Sequence, residues 1–182
     1  MLAAFAVILQ YLEFPIPMLM PPFIKFDLSD LPALIGAFAY GPLAGVLIEL
    51  VKNLLHCLVT KSATVGELSN FILGASLALA AGLIYKHKKT KKTALIGGLA
   101  GSVIMGLMSI VSNYYVVYPF YYNFMPEETV LAAYQAILPP VTSIMQCLLI
   151  FNLPFTIIKG VACVLIAMPI YKPLTKILKD RE

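Results

Sequence analysis

The residues able to do chemistry in this sequence are polar side chains set inside apolar runs. Lys159 stands among Ile158, Gly160 and Val161, with no opposite charge beside it in the sequence. Asn152, Thr156 and Lys159 fall at i, i+4 and i+7, which places them on one face of a helix. Glu49, Lys52, Asn53 and His56 share a second face, at i, i+3, i+4 and i+7. Ser109 and Asn113 lie one turn apart, and Glu67 and Asn70 three residues apart. Such groups inside apolar segments are costly and mark a functional site or an internal pair. An Asn amide donates and accepts, and a lysine donates with charge. The chemistry this set suits is recognition of a small molecule with a polar edge. Glu49 and Lys52 also read as an internal ion pair, Asn152 as the cap of the last helix, and His56 as an interface residue.

Catalytic patterns are absent. The sequence has no Walker A loop, HExxH, GxSxG or GxGxxG. Asp27-x-x-Asp30 reads as a helix cap beside a loop rather than a metal site. Cys57, Cys147 and Cys163 have no metal-ligand spacing and read as packing residues. The expectation is a protein that is not an enzyme and holds no cofactor. Any energy-driven work needs a partner that hydrolyses ATP.

The elements that position these residues lie in a membrane. Hydrophobic residues make up 60% of the 182 positions and charged residues 12%, against roughly 45–50% and 25% in soluble domains. Several uncharged windows of ~20 residues are each long enough to cross the bilayer core. The expected fold is an all-α integral membrane protein of six transmembrane helices in a single domain, 1–182. The spans are expected at 1–13, 30–40, 43–59, 66–85, 93–117 and 152–171, with Gly41-Pro42 breaking the second from the third. Residues 118–151 read as a mixed aromatic and proline-containing stretch, with Glu127 and Glu128 at a helix start. The first segment is short for a full span, so its start is expected upstream, and no signal peptide is apparent. Gly41 with Gly45, and Gly97 with Gly101, are GxxxG pairs of the kind that mark close helix contacts.

Charge gives the orientation. Nine of the thirteen Lys and Arg residues sit in two clusters, Lys86–Lys92 and Lys172–Arg181. By the positive-inside rule both face the cytoplasm. With six spans both termini are then cytoplasmic; a five-span count puts the N-terminus outside. The expected outer loops carry only Lys25 and Lys61 as basic residues. Under the six-span arrangement Lys159, Asn113, Asn70, Asn53 and His56 converge in the outer half of the membrane. A pore or proton relay needs polar groups across the full depth, so a pocket open to the outside fits better.

Several runs also carry a resemblance. Phe26-Asp27-Leu28-Ser29-Asp30-Leu31-Pro32, Gly41-Pro42-Leu43-Ala44-Gly45 and Lys52-Asn53-Leu54-Leu55 resemble the S-components of energy-coupling factor (ECF) vitamin transporters. Leu153-Pro154-Phe155-Thr156-Ile157-Ile158-Lys159-Gly160 looks like the signature of their riboflavin-specific branch, and the Asn70–Ser76 and Ser112–Tyr115 stretches are similar too. The resemblance implies six transmembrane helices, with an extracellular lid loop between helices 1 and 2 over an outward-facing vitamin pocket. It implies flavin contacts from Lys159, Asn113 and Thr156, although relatives often carry Asn at the last position. It implies docking of a transmembrane coupling subunit on small helix-one residues, here Ala3, Ala4 and Ala6, without a complete AxxxA spacing. The partners implied are riboflavin as transported ligand and an ECF module with two ATPase subunits, in a bacterial cell membrane.

The residue chemistry suits a flavin independently. Its pyrimidine edge alternates acceptor, donor and acceptor, which an Asn and a Lys complement. Its dimethylbenzene end needs an apolar slot, which Phe26, Leu28 and Phe23 supply. The ribityl hydroxyls need partners such as Asn70, Asn53 or Glu67, with Asn152 beside the polar edge. The rival readings are an S-component for another vitamin or a flavin nucleotide, a membrane enzyme acting on lipid, and a self-contained channel.

Overall fold

The structure, a computed structural model, describes residues 1–59, 64–123 and 125–179, with side chains to Leu174. Lys61 and Arg181 lie outside the described residues, as do the side chains of Lys176 and Lys179. The chain is predominantly helical, because long runs without charge satisfy their backbone groups internally only as helices. Among the described residues four helical stretches are long and apolar enough to cross a membrane: Pro42–Val59, Val65–His87, Lys91–Tyr121 and Ile144–Leu174. Two shorter apolar helices, Leu2–Tyr11 and Leu31–Tyr40, complete the apolar set.

Helix α1 spans Leu2–Tyr11. A proline-rich loop follows, pinned at its base by the two-residue strands β1 (Phe14–Pro15) and β2 (Lys25–Phe26). They pair antiparallel, Phe14 opposite Phe26, and Lys25 closes the neck by an ion pair with Glu13. Helix α2, Leu31–Tyr40, starts with Pro32 in its first turn, and its residues from Leu31 to Ala39 are all buried. Gly41 ends it at φ +107°, a conformation side-chain-bearing residues rarely adopt, and Pro42 opens α3, Pro42–His56. Helix α4 runs Val65–His87, and α5 runs Lys91–Ser112 behind a Thr90 cap that accepts the Thr93 N–H.

The stretch from Tyr118 to Phe151 resolves into short elements. A π-helical turn, Asn113–Val117, carries α5 into α6, Tyr118–Tyr121. Helix α7, Glu127–Gln135, begins at the two glutamates. Helix α8, Ile144–Cys147, capped by Ser143, passes through a second π-helical turn, Leu148–Asn152, into α9, Leu153–Lys179. Asn152 therefore lies inside a continuous helical run and is not a cap.

Two apolar cores result. One joins α2, α4, α5 and α9, with the rings of Phe38, Tyr85 and Tyr171 in mutual edge contact. The other joins the proline-rich loop, α6, α7 and α8, and buries Met20, Tyr118, Tyr134, Leu148 and Phe151. Glycines set the helix spacing. A Cβ on Gly97 would stand 2.9 Å from the Ala81 carbonyl oxygen, and one on Gly101 2.8 Å from that of Leu77. That GxxxG pair is the α4–α5 contact. Gly45 meets α2 and α4 in the same way, whereas Gly41 has no neighbour within 4 Å and serves only as the break.

Candidate functional site

A cavity of about 880 Å³ opens between α1, the proline-rich loop, α4, α5, α6 and the start of α9. That lies in the range of small-molecule sites, ~300–1,000 Å³. Lys159, Thr156, Asn152, Asn113, Asn70 and Glu67 all line it. Side chains singled out from three separate sequence segments thus converge on one space.

Three expected residues do not line it. Asn53 is buried and held within α3, donating its amide to the Glu49 carbonyl oxygen at 2.9 Å. Phe26 sits one layer back, its ring edge-on to Phe155 at 6.0 Å, and Phe155 faces the cavity. Leu28 packs against the α2–α9 core. On α1, Ala4 is exposed and Ala3 half-buried, but Ala6 has no accessible surface because it faces inward.

Lys159 is not the unpartnered charge that its sequence neighbours suggest. Its Nζ lies 2.9 Å from Asp27 Oδ2 and 3.0 Å from Asp30 Oδ2. Lys52 Nζ reaches Asp30 Oδ1 at 2.9 Å, Glu49 Oε2 at 2.6 Å and Ser29 Oγ at 2.9 Å. Asp27 also accepts the Ser29 backbone N–H at 2.8 Å. Asp27 and Asp30 are therefore not simple helix caps. Together with Glu49 they balance two buried lysines and tie the end of the loop to α3 and α9. Buried charges persist only when paired and hydrogen-bonded in this way. An ammonium has three donors. Lys159 donates one to Asp27 Oδ2 and pairs by charge with Asp30, which leaves a donor for whatever occupies the cavity.

The amides are oriented by what they already bind. Asn113 Nδ2 donates to the Ser109 carbonyl oxygen at 2.7 Å, which leaves its Oδ1 as an acceptor. Asn152 Oδ1 accepts from the Tyr134 hydroxyl at 2.7 Å, which leaves its amide N–H groups as donors. Tyr134 is itself bonded to the Tyr118 hydroxyl. Burial, then the neighbouring Tyr118, push the Tyr134 phenol far above its ordinary pKa, so it stays neutral and able to donate. The cavity thus offers a donor from Lys159, an acceptor from Asn113 and a donor from Asn152. Its complement is a ligand edge reading acceptor, donor, acceptor.

The lining also holds Phe23, expected at the apolar slot, and Gln10 and Tyr11, which were not singled out from the sequence. Phe23 meets the rings of Tyr121 and Tyr134 edge-on at 6.4 and 6.1 Å. Gln10 Oε1 and Asn70 Oδ1 are buried acceptors with no protein partner, a demand that ligand hydroxyls meet. Gln10 was detectable as the one amide in the apolar run Met1–Leu12. At the rim His56 Nδ1 lies 3.0 Å from Glu67 Oε1, with Tyr11 against the imidazole at 5.6 Å.

Known proteins resemble this chain along most of its length. A family model described as "ECF transporter, substrate-specific component" matches residues 1–171. The riboflavin transporter RibU of Staphylococcus aureus is 34% identical over 98% of this chain and 89% of that protein. The riboflavin transporter FmnP of Bacillus subtilis is 32% identical over 88% of this chain and 81% of its own length. A solved structure of the S component of a bacterial ECF transporter aligns with a TM-score of 0.73 at 34% identity, covering 98% of this chain and 93% of that one.

Proposed function

This chain belongs to the substrate-specific components of ECF transporters, and from that premise we propose that it captures riboflavin outside the cell for import. It is a transport component and not an enzyme. The observation that carries the substrate is the unused polar set in the cavity: one Lys159 donor, the Asn113 acceptor and the Asn152 donors. The pyrimidine edge of a flavin is acceptor, donor, acceptor, and Thr156 stands beside it. The orphan acceptors Gln10 Oε1 and Asn70 Oδ1 suit ribityl hydroxyls. Relatives with 34% and 32% identity bear the name riboflavin transporter.

Six helices, α1 to α5 and α9, form the membrane domain, with both termini and both lysine clusters cytoplasmic. The proline-rich loop after α1 is the lid, hinged at the β1–β2 neck and latched to Lys159 through Asp27. Ala3 and Ala4 form part of the face that meets a transmembrane coupling subunit, and two ATPase subunits supply the energy. Three acids, Glu13, Glu67 and Asp27, line the cavity against two ammonium groups, Lys25 and Lys159, which leaves it net negative. That charge favours the neutral vitamin over its phosphate ester.

The test is the visible spectrum of the protein purified in detergent from cells grown in rich medium. A flavin band near one per chain, lost on Asn113→Ala, is the expected outcome. A colourless protein that also fails to quench added riboflavin removes this substrate.

A further inference from the structure

The lysine cluster ending α4 takes no part in capture, and beside it lies a second cavity of about 460 Å³. It is framed by the last turn of α2, the first turn of α3 and the end of α4. Its walls are largely apolar, from Phe38, Pro42 and Leu43, while Lys86 and Lys89 stand on its rim. The notch follows from the chain path. Gly41 turns the backbone at φ +107°, and the missing side chain of Gly82 lets α4 close on Pro42, where a Cβ would stand 2.8 Å from the Pro42 Cα. Beyond that contact the elements part.

Both lysines are exposed, no acid lines the notch, and among the described residues neither is held in an ion pair. Leu43 at its mouth is 72% exposed and begins a row continued by Leu47, Leu54 and Leu58, each also exposed. At i, i+4, i+11 and i+15 these leucines form one apolar track along α3 and the 3-10 turn Cys57–Val59 that follows it. Tyr40, 43% exposed, sits where the track meets the lysines, a position amphipathic rings favour at membrane interfaces.

We propose that this notch is a binding site for an anionic phospholipid. The phosphate sits between Lys86 and Lys89, and one acyl chain follows Leu43 and Leu47. Size argues against a protein occupant: a two-turn helix at 10–12 Å diameter fills roughly 900 Å³, about twice the space. Charge argues against a zwitterionic lipid, because two unpaired cations ask for net negative charge.

The test titrates the detergent-purified full chain with phosphatidylglycerol and, separately, phosphatidylcholine, and counts bound lipid by native mass spectrometry. The expected result is one tightly held phosphatidylglycerol in preference to phosphatidylcholine. Lys86→Gln with Lys89→Gln weakens it about 10- to 30-fold. Lys91→Gln with Lys92→Gln removes equal charge outside the notch and changes it less than about twofold. Equal losses in the two double variants mean diffuse attraction and overturn the site. So does an unchanged affinity in the first double variant, or a chain that binds both lipids alike.

Discussion

On the proposed function Lys159 has two duties that can be separated. As a ligand donor it supplies one charge-assisted hydrogen bond, worth about 1.5–3 kcal/mol, so Lys159→Met should weaken riboflavin binding about 10- to 100-fold. As a counter-ion it balances Asp27 and Asp30, and removing it leaves buried charge uncompensated at a cost of about 3–5 kcal/mol. Adding Asp27→Asn should restore much of the lost Tm but none of the binding. Fluorescence quenching and thermal melts read the two separately. A double variant that regains binding would make Lys159 purely structural. Charge at the rim gives a second expectation: flavin mononucleotide should bind more weakly than riboflavin, and Glu67→Gln should narrow the difference in the same titration.

At the scale of elements, α7 acts through a single hydroxyl. Tyr134 fixes the Asn152 amide and also meets Phe23 of the proline-rich loop. Tyr134→Phe should weaken binding about 5- to 10-fold, the loss of one hydrogen bond of ~1–1.5 kcal/mol, with the protein still folded by gel filtration. Helix packing gives a sharper contrast. Gly101→Ala drives a methyl against the Leu77 carbonyl and should cost about 1–3 kcal/mol. Gly41→Ala meets nothing, yet it should cost a similar amount through its backbone conformation alone. Melts of both variants in detergent check these values. Which glycines pack and which only turn was not readable from the GxxxG spacing, since one pair does the first and Gly41 the second. Nor was the role of residues 118–151 readable. Their helices are short, and the side chains they bury pack against the proline-rich loop.

For the whole molecule, the long apolar helices were legible because hydrocarbon leaves backbone no other choice. The convergence of Lys159, Asn113, Thr156 and Asn70 was legible from depth and helical phase. The latch was not: Asp27 and Lys159 are 132 residues apart, and no local pattern joins them. Asn53 was misplaced for a related reason. It has the phase of the lining residues, but its amide is spent on Glu49 of its own helix and on Gln10 of α1. The chain alone should bind riboflavin in liposomes without moving it across. Flux without an ATPase partner would make it a facilitator and overturn the proposed division of labour.

Helix α2 bears on how the protein is made. Its ten residues span about 15 Å, half the hydrocarbon thickness, so the insertion machinery has too little apolar length to recognise it alone. It is delivered as a hairpin with α3, bent at Gly41. The side chains that then cover it, Cys163, Val164, Ala167 and Tyr171, belong to α9, far along the chain. Until α9 emerges, Leu34, Ile35 and Phe38 lack their final neighbours. Packing of α2 is therefore completed only once α9 has been made, and a product truncated before α9 should be a substrate for membrane proteases.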